Sequence, residues 1–221
     1  MTRSLQSVLH YISEHRLRLL VLFIGVLIPL VVFGDLAEDI WKREGFSWDV
    51  PLLEGLHAHA SAPLDALAVT LAVLGGFWGL VIPTLLLLSW LGRRGQRRDA
   101  VFLGLAVAGA ALLNLAAKAV FQRTRPDLWP RLVVEDTFSF PSGHAMGSMA
   151  FAAALVVLAW PTRWRWPVTV GAGLFTLLVG VSRLYLGVHF PSDVLAGWCA
   201  ALVWVTGLAV ILRIGRVRSK P

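Results

Sequence analysis

Three cations, two histidines and one carboxylate stand out in a chain otherwise sparing with charge: Lys118, Arg125 and Arg183, His144 and His189, and Asp193. All lie at the edges of apolar runs, where an ionisable side chain is costly and points to function. Three fixed positive charges in one small pocket call for an anion, and guanidinium forks match phosphate oxygens well. Pro141-Ser142-Gly143-His144 runs from a loop into an apolar helix. Proline suits a helix start, Ser142 can cap it, and Gly143 lets backbone N–H groups approach a ligand closely, so this helix start suits an anion. His189 and Asp193 are four residues apart around Pro191. If a helix starts there they share a face, and the carboxylate can hold the imidazole by one nitrogen while the other is free to attack. His144 could then protonate the departing oxygen and later take a proton from water, dividing the transfer into two steps through a phosphohistidine. The cations would stabilise charge on the equatorial oxygens. Neither a metal nor another cofactor is expected, because there is no carboxylate cluster for magnesium and no His/Cys set for zinc.

Positioning these groups falls to a membrane fold. The 221 residues are 57% hydrophobic and 15% charged, with a mean hydropathy of +0.72. Average soluble domains carry about 25% charged residues. Six apolar segments are long enough to be read as spans: Leu17 to Gly34, Ala66 to Leu91, Ala100 to Ala117, Phe140 to Trp160, Trp166 to Val188 and Val194 to Leu212. Lipid cannot satisfy exposed backbone groups and no alternating barrel pattern is present, so each is expected to be helical. The first segment is read as a retained span rather than a signal peptide. Residues 35–65 mix acids with Leu52, Leu53, Leu56, His57 and Leu64, a pattern suited to an additional helix in the outer interface. The expected architecture is thus all-α and polytopic: six transmembrane helices and one interfacial helix in a single domain over residues 1–221.

With alternating loops, 13 of the 20 Lys and Arg residues share the side of the N-terminus, opposed only by Glu14 and Asp99. The positive-inside rule then puts both termini in the cytoplasm and the chemically active groups at the outer face of a cytoplasmic (inner) membrane. Trp90, Trp160, Trp164 and Trp166 mark the inner boundary, and Trp41, Trp48 and Trp129 the outer one. The net charge of +7 is spread between apolar runs, which argues against nucleic acid as a partner. Cys199 stands alone, which excludes an intrachain disulfide framework.

Lys118 with Arg125-Pro126, then Pro141-Ser142-Gly143-His144, then Ser182-Arg183 with His189 and Asp193 resemble the three-part signature of the type 2 phosphatidic acid phosphatase family, which also includes vanadium haloperoxidases and soluble acid phosphatases. The motifs occupy residues 118–193, and the six-segment layout resembles the integral membrane branch. The resemblance implies His189 as nucleophile, Asp193 as its orienting partner and His144 as general acid. It implies Lys118, Arg125, Ser142, Gly143 and Arg183 as phosphoryl-binding groups. It further implies a lipid phosphate or diphosphate substrate in the bilayer: undecaprenyl diphosphate, phosphatidylglycerol phosphate, phosphatidic acid or diacylglycerol pyrophosphate. A phosphotransferase using another acceptor, or a transporter whose charges carry an anion, would use many of the same residues. Oligomeric state is left open.

The remaining polar residues have plainer readings. His57 and His59 are two apart and do not share a helix face, which suits interface residues. Arg123 and Arg131 are read as solvated loop charges in preference to contacts with the second phosphate of a diphosphate. Asp127, Glu135 and Asp136 either shape a short lid or keep the outer loop soluble. Gly75 and Gly79 are read as close helix packing.

Overall fold

A computed structural model describes residues 19–20 and 22–215. The start of the first apolar segment, Arg3, Arg16 and Arg18, Arg216, Arg218 and Lys220, and with them the side on which the termini lie, fall outside the described residues. Every regular element among the described residues is helical. A π-helical turn (Phe23–Leu27) leads into α1 (Ile28–Trp41), followed by α2 (Asp49–His57), α3 (Ala62–Gly75), α4 (Phe77–Arg93), α5 (Arg97–Phe121), α6 (Gly143–Ala159), α7 (Arg165–Tyr185) and α8 (Pro191–Leu212).

Helices α5, α7 and α8 are each long and apolar enough to cross a bilayer, and α3 with α4 makes a fourth candidate span, bent by 45° at the junction. Helix α6 is apolar but has only 17 residues, and α1 has 14. The arrangement is that of a multi-pass membrane protein.

The helices depart from the expected segments in four places. Helix α1 runs past Gly34 to Trp41 and carries Asp35, Glu38 and Asp39, which the charge pattern assigns to a loop. Pro29 near its start has no N–H to give the ladder, and the turn upstream is loosened to π geometry. The segment Ala66 to Leu91 is not continuous: Gly76 is extended (φ −80°, ψ −178°) and separates α3 from α4. A Cβ on Gly79 would lie 2.3 Å from the Leu74 carbonyl oxygen, so α4 can begin this close to the end of α3 only without a side chain there. Helix α6 begins at Gly143 rather than Phe140, because Ser142 is its cap. Within 35–65 the helical part is α2, and it docks inward: Asp49 and Leu53 are buried against the bundle while Leu52 is exposed.

The core joins α4, α5, α6 and α8 through small side chains: Ala106 and Ala110 from α5, Ala150 and Ala154 from α6, Ala201 and Ala209 from α8, with Leu91, Phe102, Leu103, Met146 and Val205 filling between. Lipid is as apolar as leucine, so helices in a bilayer associate by close packing, which small residues permit. Gly197 of α8 lets two helix backbones approach: a Cβ there would lie 2.8 Å from the Ser142 carbonyl oxygen and 3.1 Å from the Met146 nitrogen. Gly75 likewise brings α3 onto α7, since its Cβ would meet Val179 Cγ1 at 2.4 Å.

Candidate active site

Four helix ends meet at one level. Lys118 lies in the last turn of α5, His144 in the first turn of α6, Arg183 in the last turn of α7 and Asp193 in the first turn of α8. The loop over residues 122–142 crosses above them and supplies Arg125.

The start of α6 is built as the spacing suggests. Ser142 Oγ accepts from the Ala145 N–H at 3.5 Å, and the Ser142 N–H donates to the Asp193 carbonyl at 3.0 Å, tying α6 to α8. Asn114 of α5 donates to the Pro141 carbonyl at 3.0 Å, and a Cβ on Gly143 would lie 3.1 Å from Asn114 Oδ1, so only glycine leaves this turn undisturbed. Behind it, the joint between α3 and α4 backs onto His144: a Cβ on Gly76 would stand 3.3 Å from His144 Nε2.

Pro191 opens α8, which places Asp193 where its carboxylate accepts the Phe190 N–H at 2.9 Å. His189 Nδ1 lies 3.4 Å from the Asp193 carboxylate and 3.3 Å from Ser139 Oγ, and Ser139 Oγ donates to Asp193 at 2.5 Å. With Nδ1 protonated toward the carboxylate, Nε2 keeps the lone pair. That nitrogen is not open: Arg125 Nη1 stands 3.0 Å away, and the same guanidinium donates to the Val188 and Thr137 carbonyls at 2.7 Å. Lys118 Nζ donates to the Phe138 carbonyl at 2.5 Å and to Thr137 Oγ1 at 2.9 Å. An open cleft of about 820 Å³ lies on the Lys118 and Arg125 side, lined also by Leu115, Arg131 and Glu135.

Two loop charges have roles that spacing alone does not disclose. Arg123, read above as solvated, is largely buried, with 13% of its side chain exposed. It donates to Asp193 at 2.6 Å, to Ser192 Oγ at 2.7 Å and to Asp49 at 2.8 Å, with its guanidinium 4.1 Å from the Phe190 ring centroid. Asp49 in turn accepts from the Ser192 N–H at 3.0 Å and from Ser192 Oγ at 2.6 Å. Glu135 turns toward the expected site residues: it accepts a hydrogen bond from Arg183, lies 3.4 Å from Arg125 Nη2 and 3.9 Å from His144 Nδ1. Arg131 is only partly exposed and donates to the Pro126 carbonyl. His57 stacks on Trp129 with ring centroids 3.9 Å apart.

The surroundings set the charge states outside the spans. Burial is the main reason the His189 imidazole is held down to about 4, with Asp193 opposing it and Arg125 and Arg183 adding to it. For Glu135, burial pushes the carboxyl up, but Arg183, His144, Arg125 and His189 together outweigh it and hold it below the ordinary carboxylate range. Both groups therefore sit at neutral pH in the forms a nucleophile and an anion require.

Residues 99–215, just over half the chain, match the PAP2 superfamily. The chain belongs to that superfamily. The relatives agree in kind. The chain is 38% identical over 110 residues to phosphatidylglycerophosphatase B of Bacillus subtilis, covering 48% of this chain and 54% of that protein. It is 28% identical over 190 residues to an undecaprenyl-diphosphatase of Sulfolobus acidocaldarius, covering 84% of this chain and 88% of that one. The fold resembles the crystal structure of a transmembrane PAP2-type phosphatidylglycerolphosphate phosphatase from Bacillus subtilis, with a TM-score of 0.74 and 27% identity over 83% of this chain and 94% of the other. The PAP2 match includes all the expected site residues and begins well after Asp49, so one end of the buried Asp49–Arg123–Asp193 chain lies outside the matched segment.

Proposed function

We propose that this PAP2 protein hydrolyses the phosphate or diphosphate head of a membrane lipid through a phosphohistidine at His189, with undecaprenyl diphosphate and phosphatidylglycerol phosphate as the first substrates to test. The observation that carries the reading is a buried imidazole held by Asp193 while its second nitrogen faces the guanidinium of Arg125. Arg125 leaves that nitrogen for a phosphoryl oxygen when the lipid head enters. His189 Nε2 then forms the P–N bond as the P–O bond to the lipid breaks, and His144 gives the leaving oxygen its proton. Water next attacks phosphorus, His144 takes its proton, the P–N bond breaks, and inorganic phosphate leaves. Asp193 stabilises the imidazolium. Lys118, Arg125 and Arg183 hold the equatorial oxygens with the N–H groups at the start of α6, where Ser142 and Gly143 shape the turn. No step calls for a metal.

The same reading takes residues 1–221 as one membrane unit with six spans, α1 and α6 completing the set. The site faces outward from a cytoplasmic membrane, with both termini inside. Arg97 and Lys118 sit near opposite ends of α5, roughly 30 Å apart at 1.5 Å per residue, which matches the bilayer core. Arg93, Arg94, Arg97 and Arg98 therefore mark the face opposite the site, as cytoplasmic arginines do. The test is phosphate release by detergent-solubilised protein from undecaprenyl diphosphate, phosphatidylglycerol phosphate and phosphatidic acid in parallel, beside His189→Ala. Release that survives the substitution would remove the phosphohistidine, and release from none of the three would remove the reading.

A further inference from the structure

Three groups around the expected phosphoryl position converge on a side chain of the protein itself. Glu135 accepts from Arg183, and its carboxylate lies 3.4 Å from Arg125 Nη2 and 3.9 Å from His144 Nδ1. A carboxylate in that position resembles part of a phosphate: planar, singly charged and with two oxygens rather than three or more. The fit is incomplete. Arg183 is 1% exposed, yet its Nε has no hydrogen-bond partner among the described residues. A buried donor without an acceptor is costly, and a tetrahedral group with further oxygens is the kind of ligand that can reach it. Glu135 also lies in an irregular stretch, between the exposed residues Val134 and Asp136, so no helix has to move for its side chain to withdraw.

We propose that Glu135 is a specificity-determining residue: its carboxylate holds the cradle of Arg183, Arg125 and His144 against singly charged phosphodiester headgroups and gives it up to a terminal phosphate carrying about two negative charges. This rests on the lipid phosphatase reading above. The physical argument is a competition. A tethered carboxylate acts at an effective concentration in the millimolar range or above, so a ligand must bind the cradle better than a carboxylate does in order to enter. A phosphodiester brings the same single charge and two bulky substituents, and so gains little by the exchange. A phosphomonoester or terminal diphosphate brings a larger charge and enough oxygens to serve both Arg125 and Arg183. In a bilayer, phosphodiester headgroups vastly outnumber any such substrate, and without a competitor of this kind they would occupy the arginines. Glu135 also neutralises clustered cations between turnovers, which limits the repulsion that two arginines and a lysine would otherwise exert.

The test compares two small probes by calorimetry on the full-length protein in detergent at pH 8: methyl phosphate, a dianion, and dimethyl phosphate, a monoanionic diester. The parent protein should favour the dianion by about 100-fold, and Glu135→Gln should bind the diester about tenfold or more tightly, the scale of one charged hydrogen bond, so that the preference collapses. Glu135→Asp, which keeps the charge, should restore most of the preference. In mixed micelles, phosphatidylglycerol should inhibit phosphate release from phosphatidic acid by Glu135→Gln far more than by the parent. Diester binding that is unchanged or weaker in a Glu135→Gln protein of normal melting temperature overturns the proposal. If that variant melts early, the parent's own preference decides, and a ratio near one overturns it equally. These binding measurements do not depend on turnover. A protein that shows the preference but releases no phosphate from any lipid refutes the hydrolase reading and leaves the role of Glu135 in anion selection standing.

Discussion

Replacing Arg123 by alanine tests whether the buried ion network holds the Asp193 carboxylate in place. Arg123 joins two acids whose side chains are 3% and 0% exposed, Asp49 and Asp193. Removing one member of a buried ion pair costs about 3–5 kcal/mol, because the charge left behind has lost both its partner and its water. Both acids retain hydrogen bonds, Asp49 from Ser192 and Asp193 from Ser139 and the Phe190 N–H, so the lower end of that range, about 3 kcal/mol, is the expected loss. For a chain of this size that is about 6–12 °C in melting temperature. Turnover should fall by roughly ten- to a hundredfold as Asp193 loses its fixed orientation toward His189. Arg123→Lys should recover only part of both, since one ammonium does not reproduce the fork that spans Ser192 Oγ, Asp193 and Asp49. In an Asp49→Asn background the Arg123→Ala cost should shrink by about 1 kcal/mol or more, because the two residues share one network. Melting curves in detergent and phosphate release on the same samples compare the four variants, Asp49→Asn included, with the parent. An Arg123→Ala protein that melts within a degree or so of the parent and turns over at the parent's rate would show that this guanidinium is the solvated charge its loop position suggests.

In the proposed mechanism His189 attacks as the neutral imidazole, and burial holds its pKa at about 4, so the acid limb of kcat/KM that belongs to this group should fall near pH 4 rather than 6.5. The same shift affects folding: between these values the unfolded chain binds more protons at this position, so its stabilising contribution is complete above about pH 6.5 and is lost as pH falls through about 4. Melting temperatures across that window check the sign, and a limb at 6.5 would mean that His189 is solvated in the working enzyme. Gly197→Ala should lower both stability, by roughly 1–3 kcal/mol, and activity, because the atoms its Cβ meets include the Ser142 backbone carbonyl; a fully active, normally melting variant would refute that packing. Excess chelator should leave phosphate release intact, and loss restored by magnesium would contradict the metal-free mechanism.

The residues that spacing locates are those whose geometry is local. Ser142, Gly143 and His144 belong to one helix start, and His189 and Asp193 to one turn at another, so a few positions of sequence imply their arrangement. Lys118, Arg125 and Arg183 are legible because cations at span ends are costly. Glu135, Arg123, Ser139 and Asp49 are of another kind. Their partners are up to 143 residues away, and in sequence a loop carboxylate paired with a buried arginine looks the same as one in water. A faint signal existed for Asp49: an acid shortly before Pro51, Leu52 and Leu53 suits a helix start, but nothing there announces Ser192 or Arg123. Apolar runs likewise locate the spans without their interruptions. The adjacent Gly75 and Gly76 in mid-segment mark the joint between α3 and α4, but nothing in the sequence shows that Gly75 packs on Val179 or that Gly79 lies against the Leu74 carbonyl.

The contact of Gly197 with the backbone of Ser142 and Met146 has a mechanical meaning. Bundles respond to a thinner or thicker bilayer by tilting, kinking and sliding their helices. The α6–α8 crossing, closed backbone to backbone at Gly197, resists such sliding, so the spacing between the first turns that carry His144 and Asp193 should change little with the surrounding membrane. The 45° joint between α3 and α4 is the part already bent, and Gly76 rests against the outer edge of the His144 ring. Lateral stress from the lipid should therefore be taken up in the wall behind one histidine, while the frame shared by α6 and α8 keeps its dimensions.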